Sequence, residues 1–161
     1  MAYPLAPNQS RDLLQFCRSA GDTVFTVNFL IVEGEESEQR ADAFYRRLSM
    51  FSAGKRVLEN PFGNGFASRE CWVLNDESIE AILSETAGDL FAYNLLYLPE
   101  DWLFYFGDSI LLQVVSNEHE ATLRLSETQY SEFTKLGIPH KHGQPRFTGL
   151  PERPTREAPT L

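Results

Sequence analysis

The chain has 161 residues, 42% of them hydrophobic and 23% charged, and a formal net charge of −9. That length suits one domain able to bury a real core, and so acidic a balance disfavours direct binding to a phosphate backbone. No apolar run of about 18 residues is present, so no membrane span is expected. The first residues lack both a basic segment and an apolar signal core, which predicts no cleaved secretion peptide and a cytoplasmic location. Cys17 and Cys71 each sit in an apolar pattern. Two buried free thiols in a reducing compartment is the default reading, and a single disulfide is the alternative.

Asn8 or Ser10 can cap a first helix, in which Leu13, Phe16, Cys17 and Ala20 form one apolar stripe and Gly21 marks the end. Residues 23–32 follow as a strand, with Phe25, Val27, Phe29 and Ile31 on one face and a largely apolar second face. Residues 33–38 read as an acidic solvated loop, with Ser37 as the cap of a second helix. Its stripe is Ala41, Phe44, Tyr45, Leu48 and Phe51, and Gly54 stops it. Arg40, Arg46 and Arg47 lie off the stripe, on a solvated face.

Residues 55–59 and 70–74 are strand candidates around a loop at residues 60–65. The run from Gly63 to Ser68 invites comparison with a phosphate-cradling loop. It lacks the lysine of a P-loop and the third glycine of a dinucleotide fingerprint, so a wide hairpin loop is the simpler reading. Asn75 or Asp76 caps a third helix with Ile79, Ile82, Leu83 and Thr86 as its stripe and Gly88 as its stop. Acids in its first turn suit the helix dipole.

Residues 90–125 read as a four-strand antiparallel meander: 90–98, 102–106, 110–115 and 121–125. Pro99, Gly107-Asp108 and Ser116-Asn117 mark the breaks. The last strand alternates cleanly, but the first three are apolar on both faces and need cover on both sides. Helices on both faces would supply it. So would helices on one face and a partner, or a second copy of the chain, on the other. A capping box then follows at Ser126 and Gln129, with Tyr130, Phe133 and Leu136 as the buried stripe, Gly137 at the C′ position and Pro139 beyond. The fold class expected is α+β: one domain over residues 1–142, mainly antiparallel sheet packed by about four helices. Residues 143–161 form a Pro-rich flexible or surface-wrapping tail.

The charge is distributed unevenly. Residues 1–73 carry 8 basic against 9 acidic side chains, residues 74–132 carry 1 against 12, and residues 133–161 carry 5 against 2. The third helix and the meander therefore hold nearly all the excess. Such a field either keeps the protein dissolved or speeds encounter with a basic partner.

No group of residues amounts to a catalytic signature. His140 and His142 are an i, i+2 pair with no third ligand at metal spacing. Cys71 sits among Trp72, Val73 and Leu74, as an inert core thiol does. Glu100 and Asp101 could act as paired carboxylates or bind a divalent cation, though adjacent acids after a proline commonly decorate a turn. His119, between Glu118 and Glu120, reads as part of a solvated turn.

The stretches Leu98-Pro-Glu-Asp-Trp-Leu and Phe106-Gly-Asp-Ser-Ile-Leu-Leu resemble pieces of SMI1/KNR4-type proteins, over residues 98–115. Many proteins of that family are immunity proteins for bacterial toxins. In the family the first piece opens a helix well upstream of the second, whereas here the two are nearly fused. The resemblance therefore implies a role rather than a fold. The expected function is an acidic binding module, an immunity protein that occludes a basic toxin or nuclease domain, with no cofactor, metal or enzymatic activity. Its contact residues would be Asp76, Glu77, Glu80, Glu100, Asp101, Asp108, Glu118 and Glu120 for steering, with Tyr97, Trp102 and Tyr105 as exposed aromatic anchors. The alternatives are a small-ligand or hydrolytic enzyme using Glu100, Asp101 or His119 beside the sheet, and an adaptor that dimerises through an aromatic sheet face.

Overall fold

The computed structural model describes residues 9–29, 35–61, 63, 65–92 and 99–141. The expected strand at residues 93–98, with Tyr97, lies outside the described residues, as do residues 30–32, His142 and the Pro-rich tail.

Among the described residues the domain is α+β, with four α-helices and one six-stranded sheet whose strand pairings are all antiparallel. In chain order the elements are α1 (Gln9–Ser19), β1 (Thr23–Phe29), α2 (Glu35–Leu48), β2 (Ser52–Glu59), β3 (Phe66–Val73), α3 (Asp76–Glu85), β4 (Pro99–Phe106), β5 (Ser109–Val115), β6 (Glu120–Leu123) and α4 (Glu127–Thr134). The strand order β2-β3-β1-β4-β5-β6 puts β1 at the centre, between the β2–β3 hairpin and the β4–β5–β6 meander.

The caps expected for α3 and α4 are both formed. The Asn75 side chain accepts from the Ser78 N–H while Ser78 Oγ accepts from the Asn75 N–H, and Ser126 and Gln129 make the same reciprocal pair. Other boundaries shift. α2 starts at Glu35, ahead of the expected cap Ser37, because acids in a first turn are themselves favourable there. β2 runs through Gly54 rather than starting after it. The register slips between Ser52 and Gly54, and Gly54 takes φ +71°, so the glycine makes a bulge. α4 closes in tight turns after Thr134, which rotates Leu136 out to solvent and Ile138 into the core.

The meander is corrected at its first strand. Leu90 and Phe91 are buried in a turn, and the strand beside β4 is β1. Pro99 opens β4 opposite Phe29 instead of closing a strand, a position where a missing N–H is tolerated.

The two faces of the sheet have different covers. All four helices contribute to a main core in which Phe25 and Val27 of β1 meet Trp102 and Phe104 of β4 and Leu112 and Val114 of β5. Leu14, Phe44, Leu48, Ile79, Ile82 and Phe133 close over them. The ring of Phe25 lies 5.8–6.3 Å from those of Trp72, Trp102 and Phe104, linking three strands. On the second face Val24, Leu103, Tyr105 and Ile110 are buried against Leu58 and Cys71 of the β2–β3 hairpin. The chain therefore covers this face with its own hairpin. Neither the helices nor an outside partner is needed there.

Phe25→Ala is expected to lower the unfolding free energy by about 3–5 kcal/mol, because it empties the junction of three strands. Val57→Ala, at a residue 62% exposed on β2, is expected to stay within about 0.5 kcal/mol. Urea unfolding of both variants checks the contrast.

Candidate functional site

Most acids of α3 face basic residues from the first half of the chain. Arg11 of α1 forks onto both carboxylate oxygens of Glu80, and Arg18 and Gln15 reach Asp76 at 3.0 and 3.1 Å. Arg40 and Arg47 of α2 lie 3.6 and 3.7 Å from the two oxygens of Glu85. The Arg11 hydrogen bond holds the Glu80 carboxyl below its usual range. Glu77 is exposed. Asp76, Glu80 and Glu85 are thus matched across helix interfaces.

The aromatic anchors are overturned. Trp102 and Tyr105 are both 0% exposed, on opposite faces of β4. Trp102 packs edge-on to Phe44 at 6.1 Å, and the Tyr105 hydroxyl donates to the Glu59 carbonyl at 3.3 Å. Burial pushes the Tyr105 phenol up, against Arg69 and Thr26, which favour its phenolate. A residue alternating between two covered faces has no exposed side, and neither ring can meet a partner in this fold.

Three other acids, Asp101, Glu118 and Glu120, lie at one end of the sheet. β1 ends there, β4 begins there, and β5 and β6 are joined there by a turn at Ser116–Glu118. In β4 the pairing with β1 slips, so that Asn28 faces Glu100 and Thr26 faces Leu103, with one extra residue on β4. Asp101 takes φ +50° in this bulge, a conformation that aspartate tolerates better than most residues. His119 takes φ +52° and hands the turn on to β6. Glu118 and Glu120 flank it, both exposed, and neither has a cationic partner among the described residues. Burial first, then the charge of Glu118, pushes the Asp101 carboxyl up from its usual value.

Glu36 and Glu38 are exposed on the first turns of α2, the helix that follows β1 in the chain. Six peptide steps separate Phe29 from Glu35, so α2 opens within about 20 Å of the end of β1. Sequence reading assigned these acids to a solvated loop. The signal that could have found them is their position directly after the central strand. Glu100 is placed in the same end by its backbone pairing with Asn28. Asp108 is not: it sits in the β4–β5 turn, about 20 Å away along the strands, and its carbonyl accepts from the Glu59 N–H at 2.9 Å.

The other candidates are accounted for by packing. Cys17 and Cys71 are buried free thiols, both pushed up by burial. The loop after Glu59 is the hairpin loop expected, closed by the Asn60 N–H on the Gly65 carbonyl at 3.0 Å. His140 Nδ1 donates to the Ile138 carbonyl at 2.8 Å, leaving Nε2 to accept from the Tyr130 hydroxyl at 3.3 Å. Among the described residues no group of three His, Cys, Asp or Glu side chains could hold a metal ion, and no helix is long and apolar enough to cross a membrane. An open groove of about 520 Å³ runs between Arg46, Arg47 and Met50 on one wall and Glu77, Glu80 and Ser84 on the other. Asp101 and His119, the acid–base candidates, do not line it.

No protein-family model, curated protein or solved structure matches this chain.

The Asp101 shift gives the site a pH signature. A carboxyl held above its ordinary value keeps its proton to higher pH in the folded chain than in the unfolded one. Its contribution to stability is present below the ordinary aspartate range and lost as pH rises through the raised value. Asp101→Asn keeps a residue suited to positive φ and removes that loss. The variant is therefore expected to gain stability over the parent as pH rises from about 4 to neutrality. Urea unfolding across that range tests this, and a difference that does not change with pH would contradict it.

Proposed function

We propose that this chain is an acidic protein-binding module, an immunity protein that binds and neutralises a basic toxin or nuclease domain. One observation carries the reading. Acids on α3 are matched by arginines within the fold, while Asp101, Glu118 and Glu120 crowd one end of the sheet without cationic partners among the described residues. Crowding like charges is unfavourable for the isolated molecule, and a cationic partner would relieve it. The immunity role within this reading comes from the resemblance of residues 98–115 to SMI1/KNR4-type proteins. In this fold those residues form β4, its turn and β5, not the opening of a helix.

The contact set proposed is Glu36, Glu38, Glu100, Asp101, Glu118 and Glu120. Among the described residues the large exposed apolar side chains are Met50, Val57, Phe66, Phe106 and Leu136, on other elements. Recognition at the acidic end would therefore be carried by charge-assisted hydrogen bonds and electrostatic steering, both weakened by salt.

The test is association kinetics against a basic toxin or nuclease domain captured from the native host. The association rate is expected to fall steeply with ionic strength. Reversing Glu36, Glu38, Glu118 and Glu120 to lysine together should slow it by about 10–100-fold. Reversing Asp76 and Glu80, which are matched by Arg18 and Arg11, should change it much less. Equal effects from the two sets, or a rate indifferent to salt, would remove the acidic end as the binding surface.

A further inference from the structure

The β2–β3 hairpin is joined to the rest of the sheet in an unusual way. Only two register pairs, Val24 with Val73 and Phe25 with Trp72, tie it to β1, with the Leu74 N–H on the Thr23 carbonyl beside them. All three are at the base of the hairpin. Beside that base, β2 is bent by the Gly54 bulge, where φ is +71° and an added Cβ would meet nothing within 4 Å. From there the hairpin lies over the second face of the sheet, with Arg56 of β2 3.9 Å from Asp22, and toward its far end four hydrogen bonds converge on one residue.

That residue is Glu59. Its N–H donates to the Asp108 carbonyl at 2.9 Å, and its own carbonyl accepts from the Tyr105 hydroxyl at 3.3 Å. Its carboxylate accepts from the Ile110 N–H at 2.9 Å and from Arg124 at 2.5 Å. β4, β5 and the segment after β6 all meet the hairpin at this point. Beneath it Leu58 and Cys71 cover Val24, Leu103, Tyr105 and Ile110.

We infer that the β2–β3 hairpin is a strap, hinged at the Gly54 bulge and latched by Glu59, that opens as a unit and uncovers the second face of the sheet while the helix-covered core stays folded. The two clusters are separate: Cys71 lies in the one beneath the hairpin and Cys17 in the main core. Opening the strap beyond the Gly54 hinge breaks the Glu59 contacts and the Arg56–Asp22 ion pair, while Trp72 at its base stays stacked on Tyr45 of α2 at 5.8 Å and beside Phe25 in the main core. The exposed face would be a flat apolar surface of β1, β4 and β5, a kind of surface that proteins rarely leave uncovered.

The two thiols read this out. Both are buried, so each reacts with a disulfide reagent only when its surroundings open, and its rate reports that opening. In the full chain under native conditions, with the labelled peptides resolved by mass, Cys71 is expected to react at least about ten-fold faster than Cys17. Glu59→Ala should speed Cys71 by a further factor of about ten and leave Cys17 unchanged. A common rate for the two thiols overturns the strap, and a Cys71 rate unmoved by the substitution overturns the latch. Should Glu59→Ala fail to fold, Arg124→Ala and hydrogen exchange of the parent protein decide the matter. The amides of Glu59 and Ile110, which donate across the junction, should exchange well before that of Phe104. Exchange of all three together overturns the proposal.

Discussion

The fold depends on satisfying strands that are apolar on both faces. β1, β4 and β5 cannot be solvated on either side, because Val24 and Phe25, Leu103 and Phe104, and Ile110 and Leu111 are consecutive residues buried on opposite faces. Four helices cover one face, and the hairpin covers the other. Burying its six-residue cluster contributes roughly 9–18 kcal/mol as an upper bound, taking about 1.5–3 kcal/mol for each side chain. That is comparable with the whole stability of a typical domain. The hairpin is therefore part of what makes the sheet viable, even though so few backbone bonds attach it.

The same dependence explains the position of Glu59. A hairpin docked by apolar contacts alone can slide, because such contacts are not directional. Four hydrogen bonds converging on one residue set its register against β4 and β5. Two of those bonds involve a charged carboxylate whose side chain is only 16% exposed, a setting in which charge-assisted bonds are stronger than at an open surface. The ion pairs of α3 are a different matter. Arg11–Glu80 and Arg18–Asp76 join exposed side chains, and pairs of that kind contribute little to stability. Their consequence is subtractive: they remove part of the negative field from the helix face and leave it concentrated at the end of the sheet.

Local chemistry was legible in the sequence, and long-range cover was not. The cap at Asn75, the capping box at Ser126 and the stripes of the first three helices are set by neighbours along the chain, and these appear in the fold, whereas Leu136 of the fourth stripe does not stay buried. On β6 Leu123 is half-buried and Thr122 exposed, but Ala121, expected on the buried face with Leu123, is exposed. Trp102 and Tyr105 show the limit. Alternation says that the two rings point to opposite faces, but it cannot say that both faces are covered. The answer lies in Leu58 and Cys71, about 45 and 30 residues upstream, which no periodicity connects to β4. Pro99 failed in a related way. Its missing N–H marks a strand boundary, but whether the strand lies before or after it depends on the partner strand β1. The acidic end was half seen, since Glu118, Glu120 and Asp101 carry its charge. Only the antiparallel pairing of β1 with β4 brings them to the end of the sheet from which α2 departs.

The two ends of the sheet are built for different purposes, and the distance between them bears on how each can change. At one end Glu59 is matched by donors on every side. At the other Asp101 is held in a bulge, partly buried and beside a like charge, with no compensating cation among the described residues. An arrangement that works against the folded state persists only where the surrounding structure over-determines it, and here β1, β5 and the turn after β5 hold Asp101 in place. About 20 Å of rigid, doubly covered strand separates the ends. At that separation, substitutions at sites without shared partners act independently. Charge at the acidic end can therefore vary without loosening the hairpin, and the hairpin latch can vary without altering the acidic field. A fold that separates the groups stabilising it from the groups left unmatched can vary its surface charge without losing its core.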